Sequence, residues 1–159
     1  MPAPSSAGNK PINPPIAKPT TPSKSLFAII AILMVTVSTG VVIFAHGSSV
    51  ASANDAVREV AREAAAAGRF EYAEVAFLEA SPSLDEAVAR LVGRGAQRIL
   101  IVPYFLTLGL HLQRDLPAMI DRLVAQCGHI QIRTAPPLDG HPALARILVD
   151  RTRQALADW

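Results

Sequence analysis

Few side chains in this chain can bind a metal or move a proton, and three of them stand in comparable places. His46 ends the apolar run "GVVIFA" and is followed by the small polar residues "GSS". Glu79 closes a second run, "YAEVAFLE", residues 72–79. His111 follows "FLTLGL", beyond a third run. Two neutral imidazoles suit Fe, Co, Ni or Zn dications. Two protein ligands leave coordination positions open, which fits a metal in transit; a structural site would be closed by four. Glu79 reads as a third ligand or as a proton acceptor. Taken singly, each residue reads more simply as a hydrogen-bonded loop residue. Their placement at three consecutive run ends brings the two readings level.

The other reactive side chains carry less. His129 sits in a turn and reads as a solvated surface residue, and His141 precedes a proline and reads as a helix cap ahead of a ligand. Cys127 is the one cysteine, so no internal disulfide forms; in a helical stretch it reads as a small apolar side chain. No G-x-G-x-x-G follows the first run, which leaves a Rossmann dinucleotide site unsupported. "HGSSV" lacks the G-x-S-x-G elbow of a serine hydrolase. Ser48 and Ser49 are expected to satisfy open backbone groups ahead of the first helix.

These residues need a scaffold that brings distant run ends to one edge, and the pattern from residue 40 supplies it. Residues 40–45 predict a buried parallel strand. Residues 54–67 predict a helix, with Val57, Val60, Ala61 and Ala64 at helical spacing and Gly68 at its end. Strand two covers 72–79. Helix two covers 83–92, with Ser83 as N-cap and Glu86 completing a capping box. Residues 98–106 predict a third strand whose regular part stops near Pro103, which has no N–H to donate. Helix three covers 112–127, with Leu116, Met119, Ile120, Leu123 and Val124 along one side and Pro117 in its first turn. Strand four covers 130–135, and a last helix runs over 142–156 from Pro142. Strand and helix alternating four times imply a parallel sheet with helices on its faces. Ligands in such a fold bind beyond the carboxyl ends of the strands. His46, Glu79, His111 and the loop with Pro136, Pro137 and His141 all fall on that edge.

The first 39 residues are of another composition. They hold all three lysines, seven of the 13 prolines and no acid. Residues 1–25, rich in Pro, Ser and Thr, predict a disordered tail. The net charge of +2 divides into +3 for this part and −1 for the rest, so the domain is nearly neutral and nucleic-acid binding is not expected. Residues 26–45 are 20 residues without a charge, long enough for a membrane span, with Lys18 and Lys24 as a positive flank. The β-branched second half favours a strand instead. That leaves 26–39 as an apolar extension, readable as a membrane or signal segment, as a lead-in to strand one, or as sequence upstream of a start at Met34. Residues 40–159 form the domain.

The segments "VVIFAHGSS", "VAFLEASPSLDEAVARLVGRGAQRILIVPYFLTLGLH" and "APPLDGHPAL" resemble, in that order, the class II chelatases, in particular the short single-domain sirohydrochlorin chelatases. The resemblance runs from about residue 40 to 157. It implies an α/β fold: a chelatase-like three-layer domain with a four-stranded parallel sheet flanked by helices. It implies a lyase that inserts Co, Fe or Ni into sirohydrochlorin, in cobalamin or sirohaem biosynthesis, with the metal as substrate and no organic cofactor. His46 and His111 would hold the metal, and His46 would accept protons with Glu79 assisting. Leu106, Thr107, Leu108, Gly109, Leu110 and His111 would line the tetrapyrrole. Arg114 and Arg133 are readable as partners of its carboxylates or as ordinary surface arginines. Single-domain members are similar to half of longer two-domain enzymes, which implies a homodimer. The expected location is cytoplasmic, with membrane association through 26–39 left open. Three features depart from the family pattern: Ala45 in place of a second glycine, a shorter "LEASPS" loop, and the N-terminal extension. Two rival readings are a metal or tetrapyrrole carrier without catalysis and a membrane-tethered module using only the fold.

Overall fold

A computed structural model describes residues 37–107 and 109–159, with the backbone alone for Leu110 and His111. The segment 1–25, most of 26–39, and Leu108 therefore lie outside the described residues. Val37–Trp159 forms one compact unit. Its elements alternate strictly: β1 (Thr39–Ala45), α1 (Ala51–Gly68), β2 (Tyr72–Phe77), α2 (Leu84–Gly93), β3 (Arg98–Pro103), α3 (Leu110–Gln126), β4 (Gln131–Thr134) and α4 (Pro142–Ala157). The strands form one parallel sheet in the order β2-β1-β3-β4. This is the three-layer α/β architecture that the alternation predicts. Ser38, ahead of β1, is already part of it: its carbonyl accepts the N–H of Gln97 at 2.9 Å.

The strand period of two divides the core between two faces. Val42, Phe44, Ala76, Ile99 and Ile101 point to the face covered by α2 and α3, where Leu84, Ala87, Val88, Leu91, Leu112, Leu116 and Leu123 are buried against them. Each fully buried Leu or Phe here contributes about 1.5–3 kcal/mol. Helix α2 lies so close to β1 that a Cβ on Gly40 would come within 2.9 Å of Leu91 Cδ1. Helix α1 lies on the opposite face, where Ile43, Ala73 and Val75 of the sheet and Ala61 and Ala65 of the helix line a cavity of about 460 Å3. Ser83 and Glu86 form the expected capping box, and the Ser83 N–H bonded to Glu86 holds its carboxyl below the usual glutamate range.

Several boundaries differ from the sequence reading. Helix α1 starts at Ala51, three residues early, and its inward line is Asn54, Val57, Ala61 and Ala65; Val60 and Ala64 are exposed. Strand β2 stops at Phe77, because its one neighbour, β1, ends opposite it at Ala45. Helix α3 starts at Leu110, so Pro117 is its eighth residue and not in its first turn. The helix continues through the missing N–H because Leu112, Leu116 and Leu123 bury on both sides of it. Val124, expected inward, is 40% exposed. Helix α4 has no buried residue. Among the described residues no helix is long and apolar enough to cross a membrane.

Candidate active site

Strand β1 is flanked by neighbours on both sides, so its carboxyl end is a fixed point of the sheet. His46 is the first residue beyond it. The parallel ladder continues for two bonds past the end of β2: Leu78 N–H donates to the Ala45 carbonyl at 2.9 Å, and Glu79 N–H to the His46 carbonyl at 2.8 Å. These bonds hold Glu79 beside His46, although Glu79 is two residues beyond the strand it was expected to close. Their side chains approach to 3.6 Å, His46 Nδ1 to Glu79 Oε2, and are 58% and 66% exposed. Such an exposed pair adds little stability. Its effect is orientation. Nδ1 also lies 3.3 Å from the Gly47 carbonyl. A neutral imidazole protonated on Nδ1 would direct that proton at these two oxygens and leave the Nε2 lone pair to bind a cation or take a proton.

The chain then turns sharply. Gly47 has φ +86°, and a Cβ there would sit 3.0 Å from Ala80 Cβ and 3.1 Å from Phe77 Cβ. The loops after β1 and β2 are thus in contact. Ser48 is gripped by Asn54 of α1: Ser48 N–H donates to Asn54 Oδ1 at 2.9 Å, and Asn54 Nδ2 donates to the Ser48 carbonyl at 2.7 Å. Ser48 Oγ accepts the N–H of Val50, the N-cap of α1, at 3.0 Å, as expected for a serine ahead of a helix. Ala45, His46, Gly47, Ser48, Asn54 and Tyr104 are among the residues lining a pocket of about 210 Å3. Ala45 is buried there, so its methyl group forms part of the pocket wall.

The third strand end brings the remaining candidates. Pro103 closes β3, as predicted, and Tyr104 N–H donates to the Phe44 carbonyl at 2.7 Å. Phe105 packs edge-on against Phe44, centroids 5.7 Å apart, and its carbonyl accepts the N–H of Leu138 at 3.0 Å. This anchors the loop between β1 and the segment after β4. Leu106 and Thr107 then stand exposed, Leu106 at 67%, and Gly109 is the N-cap of α3. Leu110 and His111 are the first two residues of that helix. Among the described residues no three His, Cys, Asp or Glu side chains gather as a metal site; His46 and Glu79 are the pair brought together. His141 is a cap: its Nδ1 accepts the Ala143 N–H at 3.2 Å. Arg114 and Arg133 are exposed.

Two pocket residues were not singled out from the sequence. Asn54 is the buried polar residue on the inward line of α1, and a polar side chain at an apolar helical position is the signal that points to it. Tyr104 directly follows the proline that ends β3, and an aromatic residue at a strand end on the ligand edge is a comparable signal.

The family model of CbiX matches residues 40–155. A sirohydrochlorin cobaltochelatase of Methanopyrus kandleri is 31% identical over 139 residues, covering 74% of this chain and 97% of its own. Another, from Methanosarcina acetivorans, is 29% identical and covers 74% of this chain and 96% of its own. Among solved structures, a CbiX protein from Marinobacter aquaeolei VT8 has a TM-score of 0.67 at 36% identity, over 76% of this chain and 99% of that one. The sirohydrochlorin chelatase SirB from Bacillus subtilis subspecies spizizenii, solved in complex with cobalt, has a TM-score of 0.70 at 23% identity and thereby shares the fold. The match covers 74% of this chain and 50% of SirB.

Proposed function

The chain belongs to the CbiX family, and from that membership we propose that it inserts a divalent cation into sirohydrochlorin, with Co2+ as the first candidate. The relatives named as cobaltochelatases support the cation. The observation that carries the chemistry is the His46–Glu79 pair at 3.6 Å on the carboxyl edge of the sheet, beside an open pocket. Fe2+ and Ni2+ suit the same imidazole and carboxylate donors.

Insertion exchanges two pyrrole N–H protons for one M2+. It needs a cation held weakly, a base for each proton and a macrocycle turned so that its nitrogen lone pairs meet the metal. His46 has its Nδ1 beside the Glu79 carboxylate and the Gly47 carbonyl, which leaves Nε2 for the cation. That nitrogen, with His111 in the first turn of α3, holds the cation against the ring. As the metal passes to the pyrrole nitrogens, Nε2 is freed and takes a proton. Glu79 stabilises the resulting imidazolium across the Nδ1 side, the imidazolium gives its proton to solvent, and the restored base takes the second pyrrole proton. Residues 106–111 form a wall for the macrocycle in this reading, with the exposed Leu106 as an apolar contact.

The working unit in this reading is a homodimer in the cytoplasm. Helix α4 supports it: no residue is buried, and Leu148 and Leu156 are 69% and 59% exposed. The match to 50% of the SirB chain supports it further, since the fold there occupies one half of a longer protein. The reading of 26–39 as a membrane or signal segment is tested by fractionation of cells expressing the full chain beside one starting at Met34; equal solubility refutes a tether.

The deciding assay is purified protein, sirohydrochlorin, and Co2+, Fe2+ or Ni2+ supplied separately, followed by the absorbance change from free to metallated ring. Multiple turnovers per protein establish a chelatase; a single stoichiometric change establishes a carrier and overturns the proposal. His111→Ala inserting metal at the wild-type rate refutes the ligand assignment.

A further inference from the structure

We infer that Asn54 is a positioning residue, whose carboxamide holds the His46 loop in the geometry that the reaction needs. The inference rests on the chelatase reading above for its consequence, and on the hydrogen bonding for its cause. Asn54 is the buried polar residue of the described core, 8% exposed, on the line of α1 where Val57, Ala61 and Ala65 point inward. Packing alone would favour an apolar side chain there, since a buried amide is tolerated only when its hydrogen bonds are made. Asn54 makes both, and both go to one residue: Oδ1 accepts the Ser48 N–H, and Nδ2 donates to the Ser48 carbonyl.

The location gives those bonds their purpose. On the β1 side, the chain at His46 is fixed by the last ladder bonds, to Leu78 and Glu79. On the far side there is no strand and no helix until Ala51. Gly47 reverses the chain with a left-handed φ that is soft for glycine. Without a second anchor the imidazole would ride on a hinge, and its distance to Glu79 would vary. The carboxamide supplies that anchor two residues beyond His46, where the backbone donor and acceptor would otherwise face a pocket. Neither a carboxylate nor a hydroxyl does the same: a carboxylate repels the Ser48 carbonyl, and a serine is too short for both bonds.

The test compares Asn54→Ala with Val88→Ala, a truncation in the α2 core chosen to lower the melting temperature by a similar amount. Asn54→Asp is the second variant, keeping shape and acceptor while losing the donor. The readouts are kcat and KM for sirohydrochlorin with Co2+, and NMR relaxation of the His46 ring without metal. The expected result for both Asn54 variants is kcat lower by at least about 10-fold, KM within about twofold, and a more mobile His46 ring. Val88→Ala should keep wild-type kcat and ring order. Asn54→Ala with the kcat of Val88→Ala overturns the inference. If the wild-type protein inserts no metal, the chelatase reading fails separately, and the ring decides: mobile in Asn54→Ala supports the anchor, unchanged order overturns it.

Discussion

Replacing Gly47 with alanine perturbs stability and site geometry together, and both effects follow from the turn after β1. The residue has φ +86°, where an L side chain is disfavoured by about 1–2 kcal/mol. The new methyl carbon would meet Ala80 Cβ at 3.0 Å, Phe77 Cβ at 3.1 Å and Ala80 N at 3.2 Å. None of these is the free end of a flexible side chain, so the two loops must part by backbone movement. Overpacking of that kind costs about 1–3 kcal/mol. The expected loss is therefore roughly 2–5 kcal/mol out of the 5–15 kcal/mol typical of a domain. Urea denaturation should show a lower midpoint with an unchanged slope. The same parting moves His46 away from Glu79, so the folded variant should insert metal more slowly. Gly93→Ala is the opposing control: it lies at the end of α2 with nothing within 4 Å of a new Cβ. There alanine should gain up to about 1 kcal/mol from helix propensity. A Gly47→Ala protein within about 0.5 kcal/mol of wild type, with unchanged turnover, would refute both the turn and its role in setting the pair.

Glu79→Gln keeps the shape beside His46 and removes the charge; kcat for metal insertion should fall by roughly 10- to 100-fold, while thermal unfolding stays within a degree or two of wild type because the pair is exposed. Leu148→Glu with Leu156→Glu, both on exposed α4 positions, should convert the proposed homodimer to monomer by light scattering, and a dimer that persists in the double variant would refute α4 as its interface. Glu86 has a lowered carboxyl pKa, caused first by the Ser83 backbone N–H. Its contribution is therefore present above the usual glutamate range and lost as pH falls through the lowered value. The stability advantage of wild type over Glu86→Gln should accordingly be seen at neutral pH and vanish in acid; an advantage that grows in acid would reverse the assignment.

The order of elements was legible because each carries its own local signal. Ser83 and Glu86 announce a helix start by a hydrogen-bonding pattern complete within four residues, and Pro103 announces a strand end by a missing donor. The positions that misled depend on partners distant in sequence. Glu79 looked like the close of a strand because the run is apolar through Leu78, but the strand stops where β1 stops, a fact of pairing and not of propensity. Val60 and Val124 fit the helical period, yet the faces of α1 and α3 that meet the sheet are set by the strands beneath them. Asn54 shows the same limit from the other side. A polar residue on the inward line of a helix marks the position but not its partner; that comes from Ser48, six residues earlier, and from the turn at Gly47 that brings the loop back to it. His46 was legible for its place, directly after a buried strand. Its pairing was not, since Glu79 arrives from beyond a different strand.

A catalyst that delivers a cation must release it, and the openness of this site follows from that requirement. A third protein ligand would deepen the hold on the metal and close a position that the macrocycle nitrogens must take. The described residues offer no such cluster; they offer one imidazole oriented by a carboxylate, with a second histidine at the start of α3. The pocket of about 210 Å3 beside His46 is too small to enclose a tetrapyrrole. In the proposed reading the ring lies across its mouth, with one face toward His46 and an edge near the exposed Leu106 and Thr107. A surface so placed covers only one side of the substrate. The other side is left for solvent or for a second copy, and an α4 with no buried residue gives that second copy somewhere to sit. Rigidity is then needed at a single point, where His46 is proposed to meet the metal, and the ladder bonds to Glu79 and the Asn54 clamp on Ser48 both act there.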